Sequence, residues 1–263
     1  MKRWGSVMIK SLITEYGLPW LINRSLYSAK LKMMTVAPIT EKLFEKKVDV
    51  KRIDIFDLDV DGIKKFLKGL SEEKKVEIIL VADKAIRGII TGFSSVELDY
   101  GNPINWHYNP LTRVESQKHV KWYRIPDFDA DRGDIKVIWE ASRFTHFFYL
   151  SRAYLITGDK KYYNAFSEQL EQWLNDNTYP YGANYKCGQE CALRMINTLI
   201  TYAVFENCGV VTVKDKKNVF KLVEVCYRKI LANFFYAYKC IKNNHTLSEI
   251  CGLIIGSWCC EDK

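Results

Sequence analysis

From Asp134 to Cys260 the chain is written almost entirely at the helical period, and this pattern constrains its fold more than any other feature. In "KKYYNAFSEQLEQWLNDN", Tyr162, Phe166, Leu170, Trp173 and Leu174 recur every third or fourth residue, which places them on one helical face. "IKVIWEASRFTHFFYLSRAYLITGD" reads as a helix from an Asp134 cap to a Gly158 stop. "QECALRMINTLITYAVFENCG", "VKDKKNVFKLVEVCYRKILANFFYAYKC" and "TLSEICGLIIGSWCC" continue the series. Short turns join some of these segments, and longer aromatic loops such as "NTYPYGANYKCG" join others. The expected architecture is antiparallel helix pairs in a bundle, a solenoid or a toroid, and the lack of a fixed-period repeat sets the solenoid behind the toroid.

The earlier chain is mixed. Residues 1–33 interleave aromatic and basic residues and read as one or two amphipathic helices docked on the body. A helix capped near Asp59 or Asp61 follows, and "KKVEIILVADKAIRGIITGF" carries another apolar helix or strand. We expect a helical and mixed extension over residues 1–90 and a helical domain over 91–263. "DLDVDG" looks like the start of a calcium loop, but the position that needs a bidentate glutamate holds Lys68, so no metal is expected at Asp57, Asp59 and Asp61. No cofactor is expected either.

Charge and cysteines narrow the function classes. The net charge of +8 is spread along the chain, with 18 basic and 14 acidic residues before position 101 and 21 and 17 after it. A nucleic-acid-binding chain concentrates such charge in a stripe or tail, so no nucleic acid is expected and an anionic partner of another kind is favoured. The 8 cysteines all fall between Cys187 and Cys260, in neither a disulfide framework nor a zinc pattern, and read as buried thiols of a reducing compartment. The N-terminus shows neither a secretory signal nor a membrane span, which gives a cytoplasmic expectation.

Two polar stretches interrupt the helical text. Residues 99–134, "DYGNPINWHYNPLTRVESQKHVKWYRIPDFDADRGD", form a loop long enough to be functional or tied down by its own side chains. Asn243, Asn244 and His245 stand where one helical pattern stops and the next begins. They read either as a helix-terminating turn or as a site. In "TLSE", Thr246 is placed to cap the following helix and Glu249 to reach back, which would set His245 at the positive end of a helix dipole.

Four ordered motifs, "GFSSVELDYGNPINWHYNPLTR", "GDIKVIWEASRFTHFFYLSRAYLITGDKKY", "GANYKCGQECALRMIN" and "NNHTLSEICGLIIG", resemble the N-terminal helical domain of heparinase II/III polysaccharide lyases. The resemblance is strong from Gly92 to Gly256 and weak over residues 1–85. It implies a mainly all-α fold, an incomplete α/α toroid, normally followed by a β-sandwich domain that these residues do not contain. It also implies β-elimination on a uronate-containing anionic polysaccharide. In that chemistry a base takes the C5 proton, donors neutralise the adjacent carboxylate, and an acid protonates the leaving oxygen. The family's tyrosine would fall downstream of Lys263, so the resemblance implies half of an active site. Many relatives are periplasmic, which is the alternative location.

The resemblance assigns Asn244 to carboxylate neutralisation and His245 to the same task or to proton transfer, with Glu249 placed to orient it. Asn105, Trp106, His107, Tyr108 and Asn109 are placed to line a saccharide groove, or else to pin the loop with a buried Trp. Asn184 and Tyr185 occupy a place where relatives carry Asn-Trp, so sugar contact is expected of them as well. Glu140, Arg143, Glu190 and Arg194 read as ion pairs or loop clamps, with Arg194 a candidate substrate contact. His119 and His146 read as structural.

Overall fold

The computed structural model describes residues 11–45 and 47–261. The beginning of the N-terminal helical stretch, residues 1–10, lies outside the described residues. Residues 11–16 are helical, and Gly17 at φ 84 breaks the chain before α1, Leu18–Val36, which carries Pro19 in its first turn. α2, Val60–Lys68, starts at an Asp59 cap whose carboxylate accepts from the Gly62 amide, and α3, Glu72–Ile86, starts at Ser71. The apolar run that read as helix or strand is both: α3 leads into β1, Ile89–Gly92, which pairs antiparallel with β2, Val96–Asp99.

The long polar stretch is not structureless. β3, Tyr108–Asn109, pairs with β4, Val114–Glu115, and β5, Phe128–Asp129, pairs with β6, Gly133–Asp134, with a 3-10 turn at Trp122–Arg124 between them.

The single helix expected from Asp134 to Gly158 is two helices, α4, Lys136–Ser142, and α5, His146–Thr157. Phe144 stands between them at φ 59, a left-handed conformation that costs an ordinary residue about 1–2 kcal/mol. Its fully buried ring explains the exception: it stacks on Phe147 and meets Trp106 and Trp173 edge-on. Burying a large apolar side chain contributes about 1.5–3 kcal/mol, enough to offset the strain. Asp134 still serves the start of α4 by accepting from the Lys136 amide at 2.9 Å, and Gly158 at φ 75 stops α5.

α6, Lys161–Asp176, buries all five residues of its expected face together with Tyr163. α7, Gly188–Asn207, packs against α8, Val213–Tyr236, which opens with a capping box between Thr212 and Asp215. Asp215 is buried and also accepts from the hydroxyls of Tyr163 and Ser167, which ties α8 to α6. A π-helical turn, Ala237–Ile241, and Lys242 at φ 54 then turn the chain into α9, Asn244–Cys260, which packs on both α7 and α8. That approach is close because Gly256 carries no side chain: a Cβ there would lie 2.2 Å from the Tyr227 ring.

The fold is therefore mainly α, with three two-stranded hairpins among the described residues. The main core draws on residues from Met34 to Cys259, with two smaller clusters around Trp139 and Leu155, and the Lys51 and Arg52 amides both donate to the Cys259 carbonyl, fastening the early chain to α9. Among the described residues no helix is long and apolar enough to cross a membrane.

Candidate functional site

The start of α9 is built differently from the expectation. Asn243, not Thr246, is the N-cap, and its side chain accepts from the His245 amide at 2.9 Å. Asparagine is among the strongest capping residues, and Lys242 in the left-handed region delivers it in the extended conformation a cap needs. The Thr246 hydroxyl instead donates to the Ala237 carbonyl, and Glu249 points into the interior, so the Thr246–Glu249 capping box does not form. Asn244 and His245 thus occupy the first turn of α9.

Both side chains land on the beginning of α7. The Asn244 amide donates to Gln189 Oε1 at 3.1 Å, and His245 Nδ1 lies 3.3 Å from Cys187 Sγ. Two helix N-termini therefore converge, each presenting the positive end of its dipole. Behind Gln189, Arg143 grips Glu190 with two hydrogen bonds of 2.7 and 2.9 Å and also pairs with Glu140, which accepts from the Phe93 amide at the β1–β2 turn. Burial opposes the Arg143 charge, but the Glu190 contacts outweigh it and raise its pKa. This network holds the α7 end rigidly beneath Asn244. Glu140, Arg143 and Glu190 are thus ion-paired as expected.

Beside His245 opens a cavity of about 540 Å³ whose wall includes Trp122, Trp139, Lys186, Tyr236 and Glu249. Its aromatic and charged lining suits a polar ligand with flat faces. Burial lowers the His245 pKa, with Lys136 and Arg143 adding to the effect and Glu190 opposing it, so the ring is neutral near pH 7. Glu249 is fully buried in the cavity floor, where Asn233 reaches its Oε1 at 3.4 Å and its Oε2 has no partner. Burial pushes its carboxyl up to about 7, against the opposing pull of Lys229 and Asn233. Lys229, buried with its Nζ 3.2 Å from the Trp122 ring centre, is lowered by burial to about 7. Gly188 makes room for the carboxylate, since a Cβ there would lie 2.5 Å from Glu249 Oε1.

The other expected contacts sit apart from this cavity and are mostly covered. Trp106, His107 and Asn109 are at most 2% exposed, and Asn184, Tyr185 and Arg194 at most 1%. Asn184 donates to the Trp106 carbonyl and to Asn177 Oδ1, both at 2.9 Å, while the Tyr185 hydroxyl donates to the Asn177 carbonyl at 2.7 Å. His107 Nε2 meets the Asp176 carbonyl at 3.2 Å. Asn109 donates to the Arg132 carbonyl and accepts from the Leu111 amide, joining the two small hairpins. Arg194 is spent on the carbonyls of Ser142 and Asn184 and on the Trp173 face. Only Asn105, paired with Glu115, and Tyr108 keep partial exposure. His146 is in the core against Gln169, and His119 is exposed.

Sequence reasoning missed the contribution of α1. Arg24, Tyr27 and Leu31 line the cavity, with Tyr27 stacked on Tyr236 at 3.7 Å between ring centres and Arg24 bonded to the Tyr236 hydroxyl. Trp20, Arg24, Tyr27 and Leu31 follow helical spacing, a stripe that marked a docked face without saying what it docks on.

Comparison with known proteins bears on the chain's family. Among curated proteins nothing matches. Among solved structures, the chain is similar to a crystal structure of a heparan sulfate lyase HepC mutant from Pedobacter heparinus, at 14% identity and a TM-score of 0.45, over 96% of this chain and 36% of that one. The chain thus spans about a third of that lyase's length. The family model described as Heparinase II/III N-terminus matches residues 67–260, most of the chain and all of α3 to α9, and the chain belongs to that family.

Proposed function

We propose that this domain binds a uronate-containing anionic polysaccharide, of the heparan sulfate or alginate kind, and supplies the carboxylate-neutralising half of a β-elimination site within a partial α/α toroid. One observation carries the reading: Asn244 and His245 are held against Gln189 in the first turn of α7 and Cys187 just before it, beside a cavity walled by aromatic side chains. Two helix N-termini and two neutral donors at one edge favour a carboxylate, and Arg24, Lys136 and Lys186 in the cavity lining add positive charge. In the elimination, the C5 proton passes to a base, the C4–O bond breaks as the C4–C5 double bond forms, and an acid protonates the departing oxygen. Neutralising the carboxylate lets charge build at C5, and this is the task proposed for Asn244 and His245. Glu249, neutral for part of the time near pH 7, completes the cavity floor. Asn105 and Tyr108 are the loop residues proposed to touch sugar, with Trp106, His107, Asn109, Asn184, Tyr185 and Arg194 supporting them from beneath.

A second reading, binding without turnover, is favoured by the tyrosines of the cavity. Burial raises the phenols of both Tyr27 and Tyr236, and they stack on one another, which suits sugar contact better than proton abstraction. Incubating the chain with heparan sulfate and with alginate separates the two, by following unsaturated uronate absorbance and, in parallel, binding by calorimetry. Unsaturated product that is lost in Asn244→Ala and His245→Ala supports the lyase reading; binding without product supports the second; neither result with any uronate polymer overturns both. The cysteines, all free thiols, support a reducing working compartment as part of the proposal.

A further inference from the structure

We infer that Cys187 is a positioning residue for His245: its thiol donates to Nδ1 and holds the imidazole in the tautomer that turns Nε2–H toward the cavity. The inference rests on the proposed role of the cavity for its functional meaning, but its geometry stands independently. Cys187 Sγ and His245 Nδ1 are 3.3 Å apart, and no other hydrogen-bond partner of this ring is present among the described residues. Both ends of the contact are fixed. Cys187 immediately precedes α7, where Gly188 is pressed against the Glu249 carboxylate, and the His245 backbone is held by the Asn243 cap.

The direction of the hydrogen bond follows from the chemistry of the two groups. Burial first, with Glu190 adding, pushes the Cys187 thiol up to about 12, so its proton is present at neutral pH. Burial lowers the His245 pKa, so one ring nitrogen is an acceptor. Sulfur is a weak acceptor and an imine nitrogen a strong one, hence S–H donates and Nδ1 accepts. The proton of the neutral ring then sits on Nε2, the atom left for a ligand. On the same cavity floor the buried Glu249 Oε2 also lacks a partner, a second sign that a ligand completes the hydrogen bonding there. This choice of tautomer makes His245 a donor to a carboxylate rather than a proton acceptor, and assigns proton abstraction to another group.

The test is long-range proton–nitrogen NMR on histidine-labelled protein, with His245→Gln used to assign the signal among the 4 histidines. The expected result is an Nε2–H tautomer in the unchanged chain and in Cys187→Ser, whose hydroxyl can replace the donor. A mixture with Nδ1–H is expected in Cys187→Ala and Cys187→Val, each checked for native unfolding behaviour. Affinity for a heparan sulfate oligosaccharide should fall about three- to tenfold in the Ala and Val variants and stay within about twofold in Cys187→Ser, the scale of one hydrogen bond. An Nδ1–H tautomer in the unchanged chain, or an unaltered tautomer in a folded Ala or Val variant, overturns the positioning role. Lack of polysaccharide binding and turnover in every variant overturns the proposed function instead, and leaves the tautomer result to be judged by itself.

Discussion

"NPINWHYNP" and "NNHTLSE" are alike in composition, with asparagines beside a histidine at the edge of helical text, yet they end in opposite surroundings. In the first, Trp106, His107 and Asn109 are sealed in the interior and their polar atoms mostly engage backbone carbonyls and amides. In the second, Asn244 is exposed, His245 is half-buried, and both reach across to another helix at the mouth of a cavity. The comparison teaches that a polar motif becomes scaffold or site according to what is left for it to bond. The first stretch spends its asparagine amide and one histidine nitrogen on the chain and encloses Trp106 Nε1 and His107 Nδ1 without a partner among the described residues, away from the cavity; the second keeps Nε2–H and part of an amide for something else.

The largest effect that would break this contrast is at Trp106. Trp106→Ala should cost about 3–5 kcal/mol of stability, read by urea unfolding, while the fraction that remains folded binds polysaccharide as before. A variant of unchanged stability that loses binding would move the indole from scaffold to site.

The buried and cavity histidines differ in the same way. Burial lowers His146 from the ordinary value to about 4, so it stays neutral in the folded state where the unfolded chain would bind a proton. Its folded pKa is depressed, so the stability it permits is fully present above about pH 6.5 and is lost as pH falls toward about 4, by up to about 3 kcal/mol. His146→Gln should flatten the fall in stability across that interval, measured by denaturant midpoints at successive pH values, whereas His245→Gln should leave most of the fall in place.

A smaller effect tests the junction of α7 and α9. Gly188→Ala forces a methyl against the Glu249 carboxylate and should cost about 1–3 kcal/mol, with weaker polysaccharide binding in the same variant. Binding that survives undiminished would separate the cavity floor from recognition. The smallest stability effect is expected at Asn244: Asn244→Ala should change unfolding by no more than about 0.5 kcal/mol, because the side chain is exposed, yet it should abolish turnover or weaken binding. Loss of stability without loss of binding would place Asn244 with the scaffold.

The helical period of α6 was legible because its core face repeats in sequence, and the same held for α7 and α8. The break at Phe144 was not, because its warrant is a ring packed against residues from distant segments, Trp106 and Trp173. The α9 cap was misread for a related reason. Asn243 and Thr246 are both competent caps in isolation, and the choice fell to Asn243 because the π turn leaves the Ala237 carbonyl within reach of the Thr246 hydroxyl. The cavity was legible only at His245 and Glu249, since most of its other lining comes from α1, the turn at Trp122, α4 and α8.

By itself the sequence determined the family, the helical architecture and the pairing of Asn244 with His245, because local periodicity, turn residues and ordered motifs depend only on neighbours along the chain. The tertiary structure alone decided which polar residues are sealed in the interior and which stay open at a cavity. Burial and hydrogen-bond satisfaction are properties of segments brought together from far apart, and they put Trp106 and Asn184 out of reach while setting His245 against Cys187, 58 residues away in the chain.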